Sequence, residues 1–173
     1  VDSSVDASNE HIAARSFKLA SYLEHVFQLN DALILNVGGR VDYFDFNKDW
    51  SLSPRFNLSY RFLDQTTLRA AWGFFYQSPI YSELAYSVAS DSNTKGQKAT
   101  HYILGVERVI PFDPLSVSSL TLKIEGYYKN YDQLISSTRT SSGRINYSRK
   151  NDATGWARGV DLYVALNLPG FYG

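Results

Sequence analysis

The stretch from Ser53 to Gln77 reads SPRFNLSYRFLDQTTLRAAWGFFYQ, and its pattern decides the fold. On both sides of a turn at residues 64–66, aromatic or aliphatic residues alternate with mostly polar ones. Successive side chains of a strand point to opposite faces, so this alternation predicts two strands joined by a tight turn. The apolar face of the predicted hairpin consists of Phe56, Leu58, Tyr60, Phe62, Leu68, Ala70, Trp72, Phe74 and Tyr76. The class of protein depends on whether that face contacts a protein core or lipid.

The composition excludes several classes of function. Lys and Arg total 17 and Asp and Glu total 17, so charge gives no reason to expect a nucleic-acid partner. The absence of cysteine excludes a disulfide scaffold and a cysteine metal site. Aromatic residues make up 15% of the chain and are interleaved with charges, which suits strands that are wet on one face. No methionine is present, even at position 1, so we expect the chain to begin inside a longer protein.

The same alternation predicts an all-β fold, an antiparallel up-and-down meander of about seven strands. The region 15–29 is also compatible with a helix, because Ser21 and His25 interrupt its apolar face. Turn signals near residues 30, 64, 111 and 169 predict short connections, whereas 46–52, 79–97 and 135–155 are longer and polar. The predicted strands span about 15–29, 32–45, 53–63, 67–77, 99–110, 117–134 and 156–168.

The alternation of short and long connections favours a membrane barrel. In a meander, alternate connections lie at the same end of the sheet, and short turns opposite long loops are typical of outer-membrane barrels. Strands of ten or more residues suit an apolar band of roughly 25 Å, whereas soluble strands average about 5–6 residues. Six aromatic residues are predicted near strand ends on the apolar face: Tyr43, Phe56, Phe62, Tyr76, Tyr102 and Tyr128. Membrane lipid is therefore the predicted partner of that face.

Two other classes remain open at this point. A soluble β-sandwich or a surface-attached, adhesin-like binding domain would also alternate, and a small closed barrel could be a porin or an enzyme. The sequence contains no nucleophile-elbow motif and no phosphate loop. His11, His25 and His101 lack metal-ligand spacing. We therefore predict no catalytic residue, no metal and no cofactor.

Six segments in order resemble the C-terminal half of a TonB-dependent outer-membrane receptor barrel, over residues 15–168. Among them, the segment from Asn36 resembles the family's G-x-R-x-D strand, and the segment from Ser53 its S-P-R strand. The segments are NVGGRVDYF from Asn36, SPRFNLSY from Ser53, TLRAAWGFFYQSP from Thr67, HYILGVER from His101, IEGYYKNYDQLI from Ile124 and ARGVDL from Ala157.

The resemblance implies a transport receptor in the outer membrane of a Gram-negative bacterium, not an enzyme. It implies a 22-stranded barrel filled by a plug domain, with uptake of a siderophore, cofactor, glycan or peptide powered through TonB. The seven predicted strands would be a segment of that barrel, without the plug. The expected partners are lipid, the plug, the remaining strands and TonB. Further subunits of an outer-membrane complex are another candidate, and nucleic acid is not expected.

Candidate substrate-binding residues follow from face and position. The polar face would line the lumen, where opposite charges on neighbouring strands are expected to pair along the wall. Its charged members are Arg40, Asp42, Arg55, Arg61, Arg69, Glu107, Lys123, Glu125 and Asp161. The candidates nearest the outer end are Arg55, Phe75, Gln77, Lys129 and Tyr131. The long connections add Tyr81, Tyr86, Arg139, Arg144 and Tyr147, because loops on a rigid scaffold often carry function.

Overall fold

The computed structural model describes residues 16–79, 94–112, 118–143, 145–148 and 150–168. Within these residues, seven long strands form one antiparallel sheet in chain order, and two short strands form a separate hairpin. The strands are β1 (Lys18–Gln28), β2 (Leu33–Phe44), β3 (Asp49–Leu63), β4 (Thr66–Gln77), β5 (Gln97–Pro111), β6 (Ser119–Leu134), β7 (Ser137–Arg139), β8 (Ile145–Tyr147) and β9 (Ala153–Asn167). The predicted all-β antiparallel meander of seven strands is confirmed.

The structure decides one alternative and corrects the sequence prediction in two places. The first region is a strand, so its helical alternative is wrong. The predicted polar connection at 46–52 is a turn of four residues at 45–48, and β3 begins at Asp49. Its Lys48 has a φ of 52°, in the left-handed region that tight turns use. The predicted polar loop at 135–155 contains the β7–β8 hairpin. Only the connections after β4 and β6 are therefore long.

The register divides the side chains into two faces. We call the face that carries Phe56 and Trp72 the apolar face, and the face that carries Arg55 and Arg69 the polar face. Residues directly opposite each other share a face, so the strand pairing extends each face across the sheet. One apolar-face row crosses all seven strands of the sheet and consists of His25, Val37, Phe56, Trp72, Tyr102, Tyr128 and Arg158.

The described residues form no core over the apolar face. Among the described residues, Phe44 is the only buried hydrophobic side chain. If this face contacts lipid, Phe56, Leu58, Tyr60, Leu68, Ala70 and Trp72 should all be exposed in the protein alone. Phe56 and Tyr60 are each 41% exposed, as this requires. Leu58, Leu68, Ala70 and Trp72 were also expected to be exposed but are half-buried by neighbours within the sheet. The described residues contain no helix long and apolar enough to cross a bilayer.

The aromatic residues of the apolar face mark the edges of an apolar band, which coincide with strand ends in some strands and lie within the strand in others. Tyr43 packs against Trp50 near the turn at 45–48, with ring centroids 4.7 Å apart. Tyr102 and Tyr128, whose rings are 6.3 Å apart, lie within their strands because β5 and β6 continue through polar residues such as Lys98.

Half of the predicted strand-end aromatics therefore need correction. Tyr43, Phe62 and Tyr76 lie near strand ends, whereas Phe56, Tyr102 and Tyr128 do not. The sequence analysis missed Trp50 and Trp156, which are 64% and 62% exposed. Indole and phenol rings are favoured at membrane interfaces, because one part of the ring is apolar and the other is polar.

The two faces predict losses of stability of different size at adjacent alanines on β4. Ala70 lies on the apolar face opposite Leu58 and Leu104, and Ala71 lies on the polar face opposite Asn57 and Ile103. In the full receptor refolded into lipid vesicles, Ala70→Arg should lower the free energy of unfolding by about 2–4 kcal/mol, the cost of a cation facing hydrocarbon.

Ala71→Arg is the matched control and should cost much less. Denaturant titration in vesicles measures both variants. Equal losses, or a larger loss for Ala71→Arg, would contradict the assignment of the two faces.

Candidate functional site

A contiguous group of cations and rings lies on the polar face towards the long connections. The Arg55 guanidinium carbon is 4.6 Å from the centroid of the Phe75 ring. The Phe75 ring stacks on the His101 imidazole, with centroids 4.3 Å apart and planes inclined by 29°. Lys129 lies directly opposite His101 on the next strand, and its Nζ is 5.0 Å from the centroid of the Tyr127 ring. We call Arg55, Phe75, His101, Lys129 and Tyr127 the cation–aromatic row.

Two glycines give the row its shape. Gly73 lies opposite Arg55, and a Cβ added at Gly73 would lie 3.2 Å from the Arg55 Cγ and 3.1 Å from the Pro54 carbonyl oxygen. Gly159 lies opposite Tyr127, and a Cβ there would lie 2.5 Å from the Tyr127 hydroxyl oxygen. Both long side chains therefore lie across a glycine, close to the backbone of the neighbouring strand.

The cations of the row have no carboxylate partner among the described residues. Arg55 and Lys129 make no ion pair within the described part of the chain. Ring faces attract cations by about 0.5–2 kcal/mol but do not neutralise them. Two positive charges therefore remain available on this part of the polar face.

Elsewhere on the polar face, three ion pairs form among the described residues, whereas Lys18 lies over the Phe44 ring and Arg61 donates to the Asp31 carbonyl oxygen. The ion pairs are Arg40–Asp42 at 2.7 Å, Arg69–Glu107 at 3.3 Å and Lys123–Glu125 at 2.6 Å. Of these three ion pairs, only Arg69–Glu107 joins neighbouring strands as predicted. The other two pairs join residues two positions apart on one strand, which share a face and lie close enough for an ion pair.

The remaining predicted residues are spread along the long-connection end. Tyr131 lies on the polar face opposite Ala99 and Gly155, next to the row. Gln77 ends β4 opposite Gln97. Arg139 and Tyr147 belong to the separate β7–β8 hairpin. Tyr81, Tyr86 and Arg144 lie outside the described residues.

The sequence analysis did not include His101 and Tyr127 among the binding candidates. As a possible ligand-binding residue, His101 was considered only for metal, and Tyr127 occurred only within the family-like segment from Ile124. The alternation in the sequence indicates that both residues lie on the polar face. Their contacts, however, depend on the register of three strands. No group of three or more His, Cys, Asp or Glu side chains in the described ranges is arranged to hold a metal ion.

A hydrogen-bond network joins the connections above the row. Asn47 is 7% exposed, and its Nδ2 donates to the Thr94 carbonyl oxygen at 2.6 Å. The Gly96 N–H donates to the Asp49 carboxylate at 2.9 Å. These contacts tie the residues that precede β5 to the turn between β2 and β3.

Asn151 holds the same segment from the other side. The Lys95 N–H donates to the Asn151 Oδ1 at 2.8 Å, and the Asn151 Nδ2 donates to the carbonyl oxygens of Lys95 at 3.0 Å and Gln133 at 2.7 Å. Residues 94–96 are therefore fixed between two other connections. The sequence analysis missed this network, because its partners are far apart in the chain.

Comparisons with known proteins agree with this architecture. Residues 2–173 match the family model described as "TonB dependent receptor-like, beta-barrel". No curated relative matches the chain in sequence.

Two solved structures share the fold at low sequence identity. The siderophore receptor PirA from Acinetobacter baumannii is 14% identical with a TM-score of 0.66, over 88% of this chain and 26% of PirA. A double mutant of the Serratia marcescens hemophore receptor HasR, in complex with its hemophore HasA and heme, is 12% identical with a TM-score of 0.69, over 87% of this chain and 32% of HasR. The chain thus spans about a quarter to a third of the length of these receptors.

The network around Asn151 predicts a local loss of stability on truncation. Asn151→Ala removes three hydrogen bonds and should destabilise the full receptor by about 1–3 kcal/mol. It should also speed amide hydrogen exchange at Lys95. Urea titration and exchange followed by mass spectrometry measure the two effects.

Asn146→Ala, on an exposed position of β8, is the control and should change neither quantity. Unchanged exchange at Lys95 in the Asn151 variant would contradict the bridging role of Asn151.

Proposed function

Since the chain belongs to the TonB-dependent receptor β-barrel family, we propose that it forms part of an outer-membrane receptor that takes up a scarce substrate with energy delivered through TonB. Barrels of this family are outer-membrane proteins of Gram-negative bacteria, and they act as receptors and transporters rather than enzymes. The exposed apolar face supports lipid as the surroundings of this sheet, because a soluble sheet would bury that face in a core.

The proposed setting includes further strands and a plug domain. β1 pairs only with β2 and β9 pairs only with β6 in the described sheet, so each leaves one edge without a partner. Backbone groups in hydrocarbon need hydrogen-bond partners, so only closed barrels are viable β-structures there. We propose that other strands of the receptor pair with both edges, up to the 22 strands that the resemblance implies. The polar face would then surround the plug, and TonB would act through it.

The proposed orientation follows from the connections. The connections after β4 and β6 are long, and in outer-membrane barrels long loops lie outside the cell. The turns after β1 and β3 would then face the periplasm. With this orientation, β9 runs from outside towards the periplasm.

The cation–aromatic row carries the proposal about the substrate. Arg55, His101 and Lys129 are chain neighbours of Phe56, Tyr102 and Tyr128, which lie in one row on the apolar face. Because Tyr102 and Tyr128 mark the outer edge of the apolar band, the cation–aromatic row lies at the outer mouth of the lumen. A substrate arriving from outside would meet it early.

The chemistry of the row favours an anionic substrate with a planar ring system. Arg55 and Lys129 can donate charge-assisted hydrogen bonds to carboxylate or catecholate oxygens. The rings of Phe75, His101 and Tyr127 offer stacking surfaces. The two structural neighbours are described as a siderophore receptor and as a receptor in complex with hemophore and heme. We propose a ferric siderophore or haem as the substrate, with Gln77, Tyr131 and the long connections contributing contacts.

Uptake by cells tests the function. Cells that express the full receptor should accumulate iron from ferric siderophores or from haem, and a protonophore should stop accumulation without abolishing binding to the cells. Iron isotope counting in intact cells, with a strain lacking the receptor as control, measures both steps. Two outcomes would contradict TonB-driven uptake of an iron complex. In one, no offered compound accumulates in a way that depends on the receptor. In the other, the protonophore does not reduce accumulation.

The substrate site has its own test. In the purified receptor, Arg55→Gln and Lys129→Gln should each weaken binding of the accepted siderophore or haem by about tenfold, the expected effect of losing a charge-assisted hydrogen bond. Lys123→Gln is the control, because it removes a cation that is already paired with Glu125. Tryptophan fluorescence titration gives the affinities. If the three variants bind equally well, the row is not the substrate site, although uptake itself would stand.

A further inference from the structure

Cations also lie on the apolar face, where the surroundings are proposed to be lipid. Within the described strands of the sheet, three Lys or Arg side chains lie on this face. Lys98 and Arg158 lie towards the long connections, and Arg108 lies towards the short turns. Tyr102 lies at the level of Arg158, and the apolar-face residues of β5 between that level and Arg108 are Leu104 and Val106.

Arg158 has aromatic neighbours but no carboxylate partner in the part of the chain that the structure describes. It lies directly opposite Tyr128, and its guanidinium carbon is 5.0 Å from the centroid of the Trp156 ring. It makes no ion pair within the described residues. The one carboxylate in the described apolar-face rows is Asp132, which lies opposite Lys98 and accepts a hydrogen bond from Asn130 at 2.9 Å. The protein chain described here therefore supplies no anion to Arg158.

A notch in the apolar surface adjoins Arg158. Gly126 lies between Leu104 and Val160 in the next row of the apolar face. A Cβ added at Gly126 would meet only the Leu104 carbonyl oxygen, at 3.9 Å. Leu104 and Val160 are 58% and 69% exposed. The surface therefore has an open, apolar gap one residue wide. The gap adjoins the guanidinium on the side towards the centre of the bilayer.

We propose that Arg158, Trp156, Tyr128 and the notch at Gly126 bind a phosphorylated lipid of the outer leaflet. The lipid phosphate would contact Arg158, with the Tyr128 hydroxyl and the Trp156 indole N–H as further donors. One acyl chain would lie over Gly126 between Leu104 and Val160. This site lies on the opposite face of the sheet from the cation–aromatic row. The proposal of a lipid site rests only on the proposed membrane setting and orientation, not on the identity of the substrate.

Charge complementarity identifies the occupant. A guanidinium binds phosphate through two parallel N–H donors, so it favours phosphate over the other polar groups of a bilayer. An unpaired cation beside hydrocarbon is costly, and a headgroup phosphate removes that cost at the place where the aromatic belt lies. The adjacent apolar notch matches the other half of the same molecule. A lipid that carries both a phosphate and an acyl chain accounts for the cation and the notch together.

Native mass spectrometry of the full receptor tests the site. The receptor in detergent is mixed with a bis-phosphorylated, hexa-acylated glucosamine disaccharide lipid, and separately with the same lipid after removal of its phosphates. The receptor should retain the phosphorylated form, and Arg158→Gln should lower the retained fraction about tenfold. Arg158→Lys should retain an intermediate fraction, because it keeps the charge but loses the paired donors.

Arg108→Gln is the matched control, since Arg108 is the apolar-face arginine near the short turns. It should leave retention unchanged. Gly126→Leu should lower retention by filling the notch, and the open space around Gly126 lets the protein fold with this change. Thermal unfolding in detergent checks that every variant is folded.

Four results would overturn the proposal. Retention of the dephosphorylated lipid to the same extent would exclude a phosphate site. Unchanged retention in Arg158→Gln, or an equal loss in Arg108→Gln, would exclude Arg158 as the specific contact. Unchanged retention in Gly126→Leu would exclude the notch as the place of the acyl chain. Unchanged substrate uptake in Arg158→Gln is expected in every case, so the lipid site and the transport function are tested separately.

Discussion

The exposed apolar face constrains everything else about this sheet. A protein core would normally bury such a face, but Phe44 is the only buried hydrophobic side chain among the described residues. Burial must then come from the surroundings, since exposed apolar area is unfavourable in water. In the proposed membrane, hydrocarbon supplies that burial, and the polar face and its ion pairs are left for the interior of the barrel. The separation into an apolar and a polar face therefore determines which individual contacts can form.

The sequence was sufficient for the faces and insufficient for the connections. Strict parity in Phe56, Leu58 and Tyr60 predicts their shared face, because side chains of a strand alternate with a period of two. The same rule failed at 46–52, where the polar residues Asn47, Lys48 and Asp49 concealed the start of β3. The β7–β8 hairpin was not predicted for a related reason, since each of its strands has only three residues and little apolar alternation.

Contacts between distant parts of the chain required the register. Arg55 reaches Phe75 because Gly73 leaves room beside its stem, and Phe75 reaches His101 because β4 and β5 pair in one specific alignment. The bond from Asn47 to Thr94 joins residues 47 positions apart. A local pattern contains no information of that kind. The candidate site was therefore predictable as a region with some of its residues, such as Arg55 and Lys129, but its geometry was not.

The two glycines beneath long side chains also bear on how the strands align during assembly. A slip of one residue would invert the faces, but a slip of two would keep every apolar residue outside. The hydrophobic pattern alone therefore does not prevent a two-residue error. Such a slip would place Tyr127 opposite Ala157 or Asp161 instead of Gly159, and its ring would meet a side chain where it now covers bare backbone. Pairing a long side chain with a glycine thus favours one alignment of β6 and β9 over its nearest competitors.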